Sequence, residues 1–203
     1  MVEAITRPTR LEVSKSAVEH NITTVKNVSG ADKVFLTVKS NAYGFGLIPM
    51  AQAAVAGGIY GLGVAVLDEA IALRHERITA PILILGISQV KYVELMAVQH
   101  IMATVVSLDW LEKAEHQLTG EQRLPVTLGI DTGMGRIGFR DRETLAKAIQ
   151  FVLDHANKFE YVGLSTHFAE SDSSDTRYFQ KQLTRWHQLT DDLPKPKYYH
   201  VAN

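Results

Sequence analysis

The sequence contains no cysteine. This absence excludes disulfide bonds, zinc sites built on thiolates and a cysteine nucleophile. No apolar run reaches the roughly 18 residues that a membrane-spanning helix needs, and the N-terminus lacks the apolar core of a signal peptide. We therefore expect a cytoplasmic protein that has no membrane partner.

An excess of charge of either sign is also missing. The net charge is −1 at pH 7, so no strongly basic surface is available to bind nucleic acid. Apolar residues make up 46% of the chain and charged residues 21%, which is typical of a globular protein with one sizeable core. Because no linker or shift in composition divides the chain, we predict a single domain over residues 1–203.

The hydrophobic pattern predicts strands that alternate with helices. The predicted strands are residues 33–38, 61–66, 82–85, 101–105, 126–130, 159–165 and 198–201. Helical spacing of apolar residues fills the intervals between them. The predicted helix N-caps are Ser14, Ser88, Ser107 and Asp141. This alternation favours an α/β fold built from parallel βαβ units.

Two architectures fit this pattern: a doubly wound open sheet and a (β/α)₈ barrel. A barrel has eight strands and typically about 250 residues, whereas this sequence stops just past its seventh predicted strand. We favour a (β/α)₈ TIM-type barrel truncated after about the seventh strand, because the sequence stops at a strand rather than after a packed helix.

Polar residues follow several predicted strands at the same edge. Lys39 follows the first strand, Arg136 the fifth, His167 the sixth and Asn203 the seventh. The carboxyl ends of the strands in a parallel barrel open on one face, so we expect these side chains to converge on one concave site. A lysine amine that is partly shielded from water can attack a carbonyl to form a Schiff base.

One glycine-rich segment imitates a nucleotide-binding motif. Residues 133–138 spell GMGRIG, the dinucleotide fingerprint. That fingerprint needs a helix that begins within the glycine turn, whereas the predicted N-cap here is Asp141. A further strand that ends in an acidic residue about 20 positions on is also missing. We therefore do not expect a nicotinamide cofactor.

Two segments together resemble one family. Residues 38–46, VKSNAYGFG, closely resemble the pyridoxal-phosphate (PLP) motif of the alanine racemases, and residues 131–138, DTGMGRIG, resemble a second signature of that family. The resemblance implies that Lys39 carries PLP covalently and acts as one of two catalytic bases. It also implies that Tyr43 hydrogen-bonds the cofactor phosphate and that Arg136 contacts the phenolic oxygen of PLP and the substrate carboxylate.

Three further positions match the family pattern. The resemblance implies that His167, in STHFA, packs its ring against the pyridine face of the cofactor. Asn203, in HVAN, matches the residue that begins the phosphate-side loop, and Leu85 matches an apolar residue of the cofactor pocket. No metal site is expected.

One position departs from the family pattern. Many members carry a carbamylated lysine two residues before Asp131, where its negative charge orients the arginine. This sequence has Gly129 there. We expect a bound anion such as chloride, or another acidic residue, to hold Arg136 instead.

The resemblance implies interconversion of L- and D-alanine by a homodimer, which supplies D-alanine for the peptidoglycan of the cell wall. In the family the second catalytic base is a tyrosine from the C-terminal β-domain of the partner subunit, and this sequence lacks that domain. We therefore expect the chain to be the PLP-binding half and to be nearly inactive alone.

Three alternatives differ in substrate or chemistry. A racemase of serine, or one of broader specificity, would use the same residues with a different pocket shape. A non-catalytic PLP-binding barrel module lacks the DTGMGR signature, and the PLP decarboxylases that share the barrel lack NAYGxG. The two signatures therefore favour the racemase.

Overall fold

The computed structural model describes Thr6, Pro8, residues 11–170 and residues 172–202. Helices and strands alternate along this part of the chain. The strands are β1 (Phe35–Thr37), β2 (Gly61–Val64), β3 (Ile82–Ile84), β4 (Ile101–Val105), β5 (Leu124–Ile130), β6 (Phe159–His167) and β7 (Tyr198–Ala202). The helices are α1 (Lys15–Ser29), α2 (Lys39–Tyr43), α3 (Leu47–Ala56), α4 (Leu67–His75), α5 (Val93–Val98), α6 (Leu108–Gln117), α7 (Arg142–Asp154) and α8 (Arg177–Thr190).

The chain divides into two compact units, one up to Pro81 and one from Ile82 onward. In the first unit, β1 and β2 pair in parallel, with Phe35 opposite Gly61. The phenyl ring of Phe35 occupies the space that a Cβ at position 61 would need, so this strand pair requires glycine there. The helices α1 and α3 of this unit pack against each other.

In the second unit, β3 to β7 pair in sequence order, and every pairing is parallel. Helix α7 shows how the spacing of apolar residues in the sequence determines which face of a helix is buried. Its buried side chains recur at helical spacing along one face: Leu145, Ala148, Ile149 and Val152. Burying an aliphatic side chain of leucine or isoleucine size contributes about 2 kcal/mol.

Three of the four predicted helix N-caps are confirmed. The side chains of Ser14, Ser107 and Asp141 each accept a hydrogen bond from a backbone amide in the first turn of α1, α6 and α7, respectively. These bonds satisfy amides that have no partner within the helix.

The prediction that Ser88 caps the next helix is wrong. A 3₁₀ turn at Val90–Tyr92 precedes α5, so the first amides of that helix lie beyond the reach of Ser88. Ser88 is buried instead, and its carbonyl oxygen accepts a hydrogen bond from the indole N–H of Trp110 at 2.7 Å.

Several strand limits also differ from prediction. The first strand is shorter, at Phe35–Thr37, whereas β5 begins two residues earlier and β6 extends to His167. The extensions follow from pairing, since Leu124 lies opposite Phe159 and His167 opposite Ala202. No helix among the described residues has both the length and the apolar character needed to cross a membrane.

Candidate active site

Lys39 opens a left-handed turn just after β1. Ser40, Asn41 and Ala42 have φ of 54°, 57° and 52° with ψ of 50°, 42° and 47°. Tyr43 also has a positive φ, 56°. In a left-handed helix each L-residue is disfavoured by roughly 1–2 kcal/mol, because its Cβ approaches the following carbonyl oxygen. Backbone strain of this kind clusters at functional sites, so the turn itself points to Lys39.

Backbone and side-chain hydrogen bonds hold this turn in place. The amide of Ala42 donates to the carbonyl of Val38 at 2.8 Å, and the amide of Gly46 donates to the carbonyl of Asn41 at 2.9 Å. The side-chain oxygen of Asn41 accepts from the amide of Leu47 at 2.9 Å, which satisfies a free donor at the start of α3. The turn is therefore tied to the helix that follows it.

The carboxylate of Glu69, in the first turn of α4, connects the turn to the end of β2. Its Oε1 accepts from the amide of Ser40 at 2.6 Å, and its Oε2 accepts from the amide of Ala65 at 2.8 Å. Sequence reasoning missed this role, because an acidic residue in a first helical turn is usually explained by the helix dipole alone.

The side chains of Lys39 and Tyr43 are available to a ligand. Lys39 is half-buried, and its amine makes no hydrogen bond or ion pair with any other described residue. Tyr43 is 62% exposed. Its hydroxyl likewise has no partner within the part of the chain that the structure describes.

In the second unit, the loop from β5 to α7 is built around Asp131. Its Oδ1 accepts from the amides of Gly133 and Gly135 at 3.1 and 2.9 Å, and its Oδ2 accepts from Nε of Arg140 at 3.0 Å. The side chain is only 3% exposed. Burial by itself raises the pKa of Asp131, but these hydrogen bonds and the charge of Arg140 outweigh it and lower the pKa overall.

At Gly138 the backbone of this loop passes close to the end of β5. Its φ is 131°, and a Cβ at this position would overlap the backbone nitrogen of Asp131. The amide of Phe139 donates to the carbonyl of Gly129 at 2.8 Å, and the amide of Asp131 donates to the carbonyl of Phe139 at 3.0 Å. Because α7 begins only after these contacts, the glycine turn of the GMGRIG segment does not stand at a helix N-terminus.

The same loop leaves Arg136 exposed. Its guanidinium makes no hydrogen bond or ion pair with another residue that the structure describes. Of the two expected substitutes for the missing carbamylated lysine, an acidic partner is therefore not found among the described residues. A bound anion stays a prediction. The atoms nearest to a Cβ at Gly129 would be one methyl group each of Thr104 and Val106 and the carbonyl oxygen of Val105.

A buried polar network fastens this loop to the end of β6. The hydroxyl of Thr166 donates to the carbonyl of Ile130 at 2.8 Å and lies 2.9 Å from the hydroxyl of Thr132. The amide group of Gln182 donates to the hydroxyl of Thr132 at 3.1 Å and accepts from the amide of Ala169 at 2.9 Å. All three polar side chains are buried, so the network fixes the segments on both sides of it.

His167 is the exposed last residue of β6. In the pairing of β6 with β7, Ser165 lies opposite His200 and His167 opposite Ala202, so the two histidines share one face of the sheet. Burial lowers the pKa of His200, and the neighbouring His167 lowers it further. Sequence reasoning missed His200.

The predicted site residues are divided between the two units. Lys39 and Tyr43 share one turn of the first unit, whereas Leu85, Arg136 and His167 belong to the second. Leu85 is half-buried and directly follows β3. Asn203 lies outside the described residues. The convergence of these side chains on one site stays a prediction. No cluster of three or more metal-ligating side chains occurs within the described ranges.

The parallel strands and the placement of Lys39 and Arg136 after two of them indicate an α/β enzyme domain. Residues 13–203 match the family model described as "Alanine racemase, N-terminal domain". The chain belongs to this family.

The chain is 48% identical over its whole length to a lysine racemase of Oenococcus oeni, of which it covers 54%. It is 46% identical to an alanine racemase of Latilactobacillus sakei over 97% of its own length and 53% of that protein. The chain therefore spans about half the length of these curated relatives.

Among solved structures, the alanine racemase of Oenococcus oeni superposes with a TM-score of 0.93 at 47% identity. The alignment covers 96% of this chain and 56% of that structure. A histidine racemase from Leuconostoc mesenteroides gives a TM-score of 0.90 at 36% identity, over 97% of this chain and 54% of that structure.

These agreements confirm the predicted family and fold class. The chain has the α/β fold of the alanine racemase N-terminal domain, and the described residues supply two parallel strands in the first unit and five in the second. The names of the relatives also confirm that the family is one of enzymes.

Proposed function

We propose that this chain is the PLP-binding part of an amino-acid racemase that interconverts L- and D-alanine. The observation that carries the proposal is the state of Lys39, whose amine has no partner in the described part of the chain and stands at the start of a strained left-handed turn. The family of the chain supports the same assignment.

The residues present fit PLP. A Schiff base needs an amine free of competing hydrogen bonds, which Lys39 has among the described residues. Tyr43 offers an exposed hydroxyl for a phosphate. Within the described ranges the guanidinium of Arg136 has no partner, so it is available to anionic oxygens. We propose that Leu85, His167 and Asn203 complete the cofactor site, as the family pattern implies.

When bound, PLP supplies an electron sink that stabilises negative charge on the α-carbon of the amino acid. The side chains of this chain then perform the binding and the proton transfer. Arg136 holds the substrate carboxylate with two parallel N–H donors, which fixes the orientation of the α-carbon. The amine of Lys39 removes or returns the α-proton on one face.

Inversion requires a second acid–base group on the opposite face. The family pattern assigns that group to a tyrosine of the partner subunit's C-terminal domain. We therefore expect a polypeptide of these 203 residues alone to bind PLP and to racemise slowly or not at all, and the complete enzyme to act as a cytoplasmic homodimer that supplies D-alanine to the cell wall.

The main alternative to an alanine-specific racemase is a racemase with a wider substrate range. The relative at 48% identity is named a lysine racemase, and the relative at 46% an alanine racemase. Because relatives of nearly equal identity are named for different substrates, a racemase of wider substrate range is the second candidate. Serine is one of the substrates that such an enzyme would accept. Racemisation of L-alanine, L-serine, L-lysine and L-histidine by the dimeric enzyme, compared as kcat/KM, separates the candidates.

The test of the cofactor assignment is a borohydride experiment. The purified chain is titrated with PLP, reduced with borohydride and mapped by peptide mass spectrometry. We expect the reduced adduct on the peptide that contains Lys39, and none in Lys39→Ala. Lys15→Ala, which removes an exposed lysine of α1, serves as the matched control and should label like wild type. An equal adduct yield in Lys39→Ala would refute the assignment.

A further inference from the structure

We propose that Glu69 is a positioning residue for Lys39. Its carboxylate holds the left-handed turn in the geometry that presents the lysine amine. The inference rests on the proposed function of Lys39 and extends it to a residue outside the proposed PLP and substrate contacts.

The geometry of the contact is that of a clamp. One carboxylate receives two backbone N–H groups that come from different strand ends, Ser40 after β1 and Ala65 after β2. An ionised carboxylate is an acceptor only, so it suits two converging donors, and charge-assisted bonds of 2.6 and 2.8 Å are at the strong end of the range. A glutamine in its place would direct an NH₂ group toward one of the amides.

The base of the clamp is helix α4, which is packed along one face and hydrogen-bonded at its end. Helix α4 buries Ala70 and Leu73 completely. Arg74 in the same helix donates from Nη1 to the carbonyls of Ile78 and Ala80 at 2.6 and 2.9 Å, which anchors the C-terminal end of α4 to the chain that follows. The helix that carries Glu69 is therefore fixed by its buried face and by the hydrogen bonds at its C-terminal end.

The turn needs such an anchor because its residues are strained. Ser40 is the first residue with a positive φ, and its amide is the one that Glu69 binds. Without that acceptor, the backbone beside Lys39 is free to relax out of the left-handed region, where a non-glycine residue is disfavoured. A displacement of about 1 Å at a reacting group can reduce a rate 100-fold.

The first variant is Glu69→Gln, and its matched control is Asp68→Asn. Asp68 is an exposed neighbour in the same first turn, and it makes no hydrogen bond with another described residue. Both substitutions remove one negative charge from the N-terminus of α4, so their effects on the helix dipole are matched. Only Glu69→Gln removes an acceptor from the clamp.

The first readout needs no cofactor. In Glu69→Gln we expect the amides of Ser40 and Ala65 to exchange with deuterium at least about tenfold faster than in Asp68→Asn. The second readout is the yield of reduced PLP adduct on Lys39 at subsaturating PLP, which we expect to fall at least about tenfold, again relative to Asp68→Asn.

A rescue variant separates positioning from general stability. Glycine adopts a positive φ without steric strain, so Ser40→Gly should make the turn less dependent on the clamp. We expect Ser40→Gly in the Glu69→Gln background to recover at least about threefold in adduct yield. If Glu69→Gln alone does not fold, the same measurements on Glu69→Asp, which keeps the charge but is one methylene shorter, should show an intermediate loss.

The outcomes distinguish the two proposals. Equal exchange rates and equal adduct yields in Glu69→Gln and Asp68→Asn would overturn the role of Glu69 and leave that of Lys39 intact. A loss that Ser40→Gly does not relieve would overturn it as well. Absence of a Lys39 adduct in wild type would refute the proposed function, while the exchange of the Ser40 amide would still decide whether the clamp exists.

Discussion

The hydroxyl oxygens of Thr132 and Thr166 lie 2.9 Å apart, which joins the loop after β5 to strand β6. Each hydroxyl carries one proton. Because Thr166 donates its proton to the carbonyl of Ile130, Thr132 must donate to Thr166 and accept from Gln182. The donor order of the network is therefore fixed, and each of its side-chain groups has a defined partner.

Removing one hydroxyl from this network should destabilise the fold. Thr132→Val keeps the shape of the side chain but leaves the NH₂ group of Gln182 without its acceptor. We expect a loss of about 1–3 kcal/mol in the free energy of unfolding, measured in urea. Thr184→Val, an exposed position on α8, should change it by about 0.5 kcal/mol or less. Equal effects at the two positions would contradict the network.

Two glycines of the same loop, Gly135 and Gly138, should differ in how strongly they resist replacement by alanine. At Gly138 a Cβ would overlap the backbone of Asp131 at a φ of 131°, whereas Gly135 has a φ of 78° and open space around it. We expect Gly138→Ala to destabilise by about 3 kcal/mol or more and Gly135→Ala by about 1–2 kcal/mol, from strain alone. Thermal or urea unfolding measures both, and a milder effect at position 138 would contradict the close approach.

The buried carboxylate of Asp131 should give the fold an acid-sensitive element. Its pKa is lowered in the folded state, so its stabilisation is fully present above the pKa of the unfolded chain, roughly 4. It is lost as pH falls through the lower pKa of the folded state.

We therefore expect wild type to exceed Asp131→Asn in stability at pH 7, and the difference to shrink steadily below about pH 4. Urea unfolding at a series of pH values measures it. Asp109→Asn, which removes an exposed charge from the first turn of α6 together with its ion pair with Lys113, serves as the control. A difference that stays constant down to about pH 2 would exclude this role for Asp131.

Two arginines of the loop between β5 and α7 should differ in role, with Arg136 binding the cofactor and Arg140 stabilising the fold. Arg136 is exposed and unpartnered among the described residues, whereas Arg140 binds the carboxylate of Asp131 at 3.0 Å. We expect Arg136→Ala to change stability by about 0.5 kcal/mol or less and to weaken PLP binding about tenfold, or about 1.4 kcal/mol.

Arg140→Ala should have the opposite profile. It removes a donor from a buried carboxylate, so the free energy of unfolding should fall while PLP binding of the folded protein stays near that of wild type. Unfolding curves and absorption titrations with PLP distinguish the two variants. Destabilisation by Arg136→Ala would indicate a structural role for that residue.

Local patterns of the sequence predicted much of the fold. The caps Ser14, Ser107 and Asp141 are right because an N-cap bonds an amide only a few residues away. The prediction for Ser88 is wrong because a 3₁₀ turn separates it from the start of α5. Its carbonyl bonds the indole of Trp110, 22 positions along the chain, and no local pattern encodes that contact. Strand limits shifted for a similar reason, since pairing partners rather than propensity decide where β5 begins and where β6 ends.

The sequence by itself determined the family, the alternation of parallel strands with helices, and Lys39 as the residue to examine, because motifs and periodicities are written in consecutive residues. Only the tertiary structure decided that the turn after Lys39 is left-handed and that Glu69 clamps it. The left-handed backbone conformation is unfavourable for non-glycine residues, so these residues do not adopt it without support from other contacts. The Ser40–Glu69 contact that opposes the strain joins residues 29 positions apart, which no local pattern encodes.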